Sequence, residues 1–290
     1  MTTFEIRDMT AADIDNVGES TNAGGFGDRR AFFRMAVSLG DSHPIVATCD
    51  GRVVGTGVGA VHGSVGWIGV VFVVPELRGR GLGRAVTEAV CDGLEGAGCR
   101  SLVLVATEMG RPVYDRLGFR EQSLYHMFSG EPAATGPLPP AGTVMRQVRP
   151  CDIETIADLD RRATGEDRLP LIRAFAGSGW LIEEDEAGPD GNEVAAGPAI
   201  RGFLLPTTRG NAALIAARPE DAACLLDLHR QLTPEGNRAW AGLPTENEAG
   251  RRLLDERGWY PWKTFPRMVR GEEPDWRPEM IWAQFNHAMG

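Results

Sequence analysis

The chain has 290 residues, 42% of them hydrophobic, and a formal charge of −10. That length suits two domains of ordinary size, and the acidic balance argues against nucleic acid while mildly favouring a cationic substrate. With no stretch near the ~18–20 continuous apolar residues of a membrane span and no signal-like start, a soluble, cytoplasmic protein with no membrane partner is expected.

In chain order, the pattern predicts a strand over Phe4–Arg7, a helix from about Ala11 and another from about Arg29 to Leu39. Asp50-Gly51 then joins strand Ile45–Cys49 to strand Arg52–Val61 as a tight hairpin. Strand Gly66–Val74 runs into a glycine-rich turn, followed by helix Arg84–Leu94, strand Leu102–Val105, a short helix around Tyr114 and a last strand near Gln122–Phe128. This is a mixed α/β order. Further on, the irregular stretch Glu186–Pro198 lies between strands Trp180–Glu183 and Ile200–Leu205 and reads as a hairpin loop.

Gly130–Gly142 carries four prolines and no periodicity, so the domain boundary is placed there, giving domains 1–132 and 143–290. The halves read as copies of one another. Ala12-Asp13-Ile14-Asp15 recurs as Cys151-Asp152-Ile153-Glu154, and Tyr114-Asp115-Arg116-Leu117-Gly118-Phe119 as Leu254-Asp255-Glu256-Arg257-Gly258-Trp259, the copies standing 139 or 140 positions apart. Cys49, Cys91, Cys99, Cys151 and Cys224 show no Cys-x-x-Cys pair and are odd in number, which favours reduced thiols over disulfides or a metal site.

The most informative run is Val70-Val71-Phe72-Val73-Val74-Pro75-Glu76-Leu77-Arg78-Gly79-Arg80-Gly81-Leu82-Gly83-Arg84-Ala85. A strand leading through alternate glycines into a helix start offers unpaired N–H groups to an anion, and a pyrophosphate is the natural guest. Neither familiar phosphate loop fits. The chain has no Gly-x-x-x-x-Gly-Lys-Ser/Thr run, Lys263 being its one lysine, and after Gly79 and Gly81 the third position of Gly-x-Gly-x-x-Gly is Arg84.

Arg78-Gly79-Arg80-Gly81-Leu82-Gly83 resembles the Arg/Gln-x-x-Gly-x-Gly/Ala acetyl-CoA signature of the GCN5-related N-acetyltransferase (GNAT) superfamily. About thirty residues on, Gly110–Phe119 resembles that family's second hallmark, a short helix with a tyrosine ending in Leu-Gly-Phe. The resemblance implies two tandem GNAT-like acyl-CoA N-acyltransferase domains with acetyl-CoA as co-substrate and no metal. Transfer is then by direct attack of a small-molecule primary amine in a ternary complex. It further implies that backbone groups of Phe72, Val73 and Val74, on a bulged and splayed strand, meet the pantetheine arm, and that the amides of Arg78, Gly79, Arg80, Gly81, Leu82, Gly83 and Arg84 hold the pyrophosphate. Tyr114 would act as general acid. A core tyrosine with a satisfied hydroxyl is the plainer alternative.

The general base is open. Glu108 is a candidate and equally an exposed helix-start carboxylate; Asp28, Glu19, His43, His62 and His126 have no fixed partner in the sequence. Where many relatives have an asparagine after the fifth strand, this chain reads Ala106-Thr107-Glu108.

In the second half, the position of the glycine turn falls on Arg218-Pro219-Glu220-Asp221-Ala222-Ala223, without glycine and with two carboxylates, and Leu254 replaces the tyrosine. The second domain is therefore expected to be degenerate, structural or pocket-forming, with chemistry confined to the first. Six of the seven tryptophans lie there, fitting either a core or an aromatic pocket. Two other functions remain open: a non-catalytic acyl-CoA-binding or sensing protein, and a peptide or protein N-acetyltransferase. The oligomeric state is not legible.

Overall fold

The computed structural model describes residues 4–185, 199–286 and 288–290. The first half of the chain folds as β1 (Glu5–Asp8), α1 (Ile14–Ala23), α2 (Arg30–Ser38), β2 (Ser42–Cys49), β3 (Arg52–His62), β4 (Val65–Val73), α3 (Leu82–Gly96), β5 (Ser101–Val105), α4 (Arg111–Arg116) and β6 (Arg120–Gly130). The second continues as β7 (Thr143–Gln147), α5 (Ile153–Thr164), α6 (Leu169–Phe175), β8 (Trp180–Glu184), β9 (Ile200–Pro206), β10 (Ala212–Ala216), α7 (Pro219–Leu232), β11 (Ala239–Pro244), α8 (Glu248–Glu256), β12 (Tyr260–Gly271) and β13 (Ile281–Ala283). The expected loop at 186–198 lies outside the described residues. Among those described, no helix is long and apolar enough to cross a membrane.

The chain forms two compact units, and neither is contiguous. The first comprises 1–122, 266–273 and 287–290; the second comprises 123–265 and 274–286. A single cut in the proline-rich linker separates the halves of the sequence, whereas the compact units trade a strand. In the first unit, Arg267–Gly271 of β12 pairs antiparallel with β5. In the second, the 125–130 stretch of β6 pairs antiparallel with β11. Each half thus lends its last long strand to the other half's unit, so the strand read as completing the first domain does so only as far as Gln122.

The first unit orders its strands β1-β2-β3-β4-β5 and then the end of β12, with β4 and β5 the parallel pair. Asp50 and Gly51 turn β2 into β3 with φ of 48° and 76°, the left-handed pair that a two-residue hairpin needs. One sheet face is covered by α3, whose Leu82, Val86, Val90 and Leu94 are buried against Ile45, Ile68 and Leu102. The approach is close because β3 presents glycine there: a Cβ at Gly57 would lie 2.8 Å from Val90 Cγ2. On the other face α1 and α2 bury Val17, Phe33 and Ala36 against Val46, Val53 and Val58.

In the second unit the order is β13-β10-β9-β8-β7, with α7 packed over Ile182, Leu204 and Leu214. Two devices repeat between the units. Arg7 grips Asp13 through both guanidinium nitrogens at 2.9 and 2.7 Å, and Arg146 grips Asp152 in the same way at 2.7 and 2.9 Å. Each aspartate also accepts a backbone amide three residues earlier, from Thr10 or Arg149, so it pins strand to helix start. Likewise α4 and α8 both end on a left-handed glycine, Gly118 or Gly258, and the following Phe119 or Trp259 amide reaches back to the carbonyl of Tyr114 or Leu254 at 3.1 and 3.0 Å.

Candidate active site

The site is built where β4 leaves β5. Their parallel pairing runs from Val65↔Ser101 to Ile68↔Leu104 and stops there, while β4 continues against β3 to Val73. Between Gly69↔Val58 and Phe72↔Thr56 two residues of β4, Val70 and Val71, face the single Gly57: a β-bulge. Val70 takes φ 51°, a costly conformation for a β-branched residue, and its carbonyl is held by the Thr56 hydroxyl at 2.9 Å. The bulge therefore sits two residues ahead of Phe72, and Thr56 and Val70, which the uniform apolar run did not single out, are what fix it.

Beyond the bulge, alternation decides which backbone groups are spare. The Val74 amide donates to the Val54 carbonyl at 3.0 Å, so Val74 and Phe72 direct their backbone groups to β3, and Val71 and Val73 direct theirs to the vacated edge. Of the three residues expected there, Val73 offers its amide to the gap. Val74 is committed to Val54, and Phe72 contributes a buried ring 5.5 Å from Phe26. The Val73 carbonyl accepts from Arg78 Nε at 3.0 Å.

After the Pro75–Leu77 turn, Gly79 and Gly81 take φ of 73° and 88°, and Gly81 forms the N-cap of α3 with no side chain capping the helix. A Cβ at either glycine would enter open space. Leu82 is fully buried and anchors the turn, leaving the first-turn amides of a 15-residue helix facing outward with the positive end of its dipole. Arg80 is exposed and has no carboxylate partner among the described residues; Arg84 reaches Glu88 at 2.9 Å. An uncapped helix start opened by two left-handed glycines fits a pyrophosphate.

Tyr114 lies on α4, 9% exposed, in the same core as Cys91 of α3, and its ring meets Phe119 edge-on at 6.1 Å. Its hydroxyl has no hydrogen-bond partner among the described residues. Burial, with a smaller contribution from Cys91, pushes the phenol up to about 12, so it stays protonated at neutral pH. Gly110 makes room for it: a Cβ there would stand 2.8 Å from the tyrosine ring.

The other candidates disperse. Glu108 is exposed in the turn between β5 and α4. Asp28 accepts from the Arg30 amide just ahead of α2 and pairs with the Arg30 guanidinium, and Glu19 and His43 are exposed. His62 is buried with Nε2 on the Met289 carbonyl at 2.7 Å. His126 belongs to the second unit, its ring nitrogens on Thr264 and Thr245.

Residues 15–119 match the acetyltransferase (GNAT) family. That match lies within the first unit. A 57-residue stretch is 40% identical to glucosamine 6-phosphate N-acetyltransferase of Trypanosoma brucei brucei, covering 20% of this chain and 39% of that protein, so the chain spans about two fifths of the length of this curated relative. Over nearly the whole chain the GNAT fold aligns with a solved structure from Pyrococcus horikoshii assigned as an acetyltransferase, at 20% identity and a TM-score of 0.81, covering 99% of this chain and 96% of that one. It also aligns with the tandem GNAT protein of the clavulanic acid biosynthesis pathway, at 15% identity and a TM-score of 0.65, covering 94% and 99%. The tandem arrangement is therefore a property of the fold in both units.

The second unit departs from the first at the loop. Where β4 and α3 are joined by an eight-residue connection, Ala217 and Arg218 alone join β10 to α7, which opens on Pro219. Asp221 in its first turn is fully buried and accepts from Arg201 Nε at 2.9 Å.

Proposed function

We propose that the first unit is an acetyl-CoA-dependent N-acetyltransferase acting on a primary amine of a small molecule by direct attack in a ternary complex, and that the second unit carries no coenzyme site. The observation that bears most weight is the continuity of one path: the vacated edge of β4 at Val71 and Val73 leads into the uncapped start of α3. A thioester arm laid along the edge as a pseudo-strand would bring its pyrophosphate to the helix amides of residues 79–84. Acetyl-CoA would supply the activated acyl group. The chain's own residues do the rest.

Tyr114 is the group we assign to protonating the departing thiolate, because its burial keeps the proton in place and its hydroxyl is not spent on another residue described. Glu108, in the turn ahead of α4, is the carboxylate we assign to drawing the proton from the attacking amine through water. A small-molecule acceptor is favoured by the amino-sugar phosphate in the name of the 40%-identical relative, and by the net charge of −10, which concentrates amines.

The test is free thiol released from acetyl-CoA across glucosamine 6-phosphate, amino acids, polyamines, aminoglycosides and short peptides. Release with one small-amine class above the amine-free background supports the reading. Release with peptides alone moves the acceptor to the protein class, and acetyl-CoA binding without release from any of them leaves a coenzyme-binding module.

A further inference from the structure

A cavity of about 390 Å³ in the second unit has a makeup unlike the rest of this acidic protein. It is formed by β6, α8 and the first half of β12, and its wall carries His126, Arg251, Asp255, Trp262, Lys263 and Thr264. Arg251 and Lys263 are exposed, and neither has a carboxylate partner among the described residues. Elsewhere in the fold Arg7, Arg146, Arg168, Arg201 and Arg270 all lie on carboxylates.

The duplication supplies an internal control. Arg111 and Asp115 of α4 stand at the places that Arg251 and Asp255 hold on α8. In the first unit Arg111 is within 4.0 Å of Asp115 and bonds Glu121 at 2.9 Å. In the second unit the same two residue types face the cavity without pairing, so the copy that lost the tyrosine kept an arginine and released it from its acids.

Lys263 is a second, independent sign. The chain uses arginine at every other cationic position, and its single lysine stands in this wall. A lysine offers a compact charge with three donors on a flexible stem, which suits a phosphate oxygen that shifts between partners. Its ammonium lies 5.3 Å from the centre of the Trp262 ring. That ring is 54% exposed yet held, edge-on to Trp240 at 5.1 Å and tilted on Phe265 at 6.0 Å, and so presents a fixed apolar plate beside two free cations. His126 is braced on both nitrogens by Thr264 and Thr245, at 3.1 and 3.0 Å. Burial first, and the Arg251 charge second, keep it below its ordinary pKa, so at neutral pH the wall presents two positive charges and one carboxylate.

We infer that this cavity is a binding site for a phosphate monoester carried on a ring, with Arg251 and Lys263 on the phosphate, the ring against Trp262, and Asp255 accepting from a hydroxyl. It is separate from the coenzyme path of the first unit and does not depend on it. The same chemistry describes a sugar phosphate and a nucleoside monophosphate.

Calorimetric titration of the full-length protein with glucose 6-phosphate and with adenosine 5′-monophosphate distinguishes the two sources, with glucose, adenosine and inorganic phosphate as partial probes. At least one of the two esters is expected to saturate, and its unphosphorylated counterpart to bind at least about tenfold more weakly, as loss of charge-assisted bonds implies. Arg251→Ala with Lys263→Ala should remove that binding, while Trp262→Ala should bring the ester down to the affinity of inorganic phosphate. All three positions are exposed, and an unchanged melting temperature confirms that the variants fold. Ester binding that persists in the double variant, or no saturation by either ester, overturns the assignment.

Discussion

Arg78 Nε donates to the carbonyl of Val73 at 3.0 Å, tying the first residue of the glycine turn to the last residue of the bulged strand. The bond closes the corner between the vacated edge of β4 and the start of α3. It shapes the turn and holds a positive charge beside the proposed pyrophosphate position. Arg78→Ala is expected to weaken acetyl-CoA binding about 5- to 50-fold, the loss of one charge-assisted contact plus a less ordered turn, and to move the melting temperature little because the side chain is exposed. Calorimetry and a thermal melt on the same variant separate the two effects. A large stability loss with unchanged affinity would make Arg78 a structural brace only.

Tyr114→Phe removes a hydroxyl and keeps the ring. The ring lies against Phe119, the apolar contact that accompanies the glycine closure of α4, so the fold should tolerate the change. Turnover is expected to fall about 10²- to 10⁴-fold, with acetyl-CoA affinity unchanged. Steady-state kinetics and a binding titration check this; equal kcat in the two forms would remove Tyr114 from the chemistry.

Thr56→Val keeps the shape of its side chain and deletes the hydroxyl that holds Val70 at φ 51°. Without that bond the strained residue has less reason to stay left-handed, and the loss of one buried hydrogen bond costs about 1–2 kcal/mol. The expected outcome is a modest fall in melting temperature and a larger fall in kcat than the stability loss explains. Unchanged turnover would mean the bulge survives without its anchor.

His229 supplies a pH dependence. It is 2% exposed on α7, its Nε2 is 3.0 Å from the Gly210 carbonyl, and burial lowers its pKa from 6.5 to about 4. Between those values the unfolded chain takes up a proton that the folded chain refuses. Stability from this group is therefore complete above about pH 6.5 and drains away as the pH falls towards 4, by on the order of 3 kcal/mol. Asp13 and Asp152, held below the usual carboxylate range by Arg7 and Arg146, act lower still. His229→Gln should flatten the melting-temperature curve from pH 6.5 to 4; an identical slope in the variant would place the effect elsewhere.

Much of this was legible in the residues. The Asp50-Gly51 hairpin, the strand into alternate glycines, the helix at Tyr114 and the duplication all rest on local signals: turn chemistry, periodicity and motif spacing. The strand exchange did not show. β6 and β12 each carry an apolar pattern that fits either sheet, and pattern fixes which face is buried but not which strand lies alongside. The bulge was hidden too, because Val70 to Val74 is uniformly apolar and nothing local tells Val70 from Val71. Its one sign is the alternate glycines of β3, which put Gly57 opposite. Arg251 and Lys263 could not be paired from the residues either: Lys263 stands out as the single lysine, but the lack of carboxylate partners and the shared wall are facts of three dimensions.

The most direct test of the central claim is the stoichiometry of acetyl-CoA binding, measured calorimetrically on the full chain and on Gly81→Val with Gly83→Val. These substitutions fill the turn over the α3 amides with side chains and force φ 88° on a β-branched residue. One acetyl-CoA per chain in the wild type, and none in a variant that keeps the second unit's melting transition, is the result predicted. Two molecules per chain, or one that survives in the variant, would contradict a single coenzyme site at the glycine turn of the first unit.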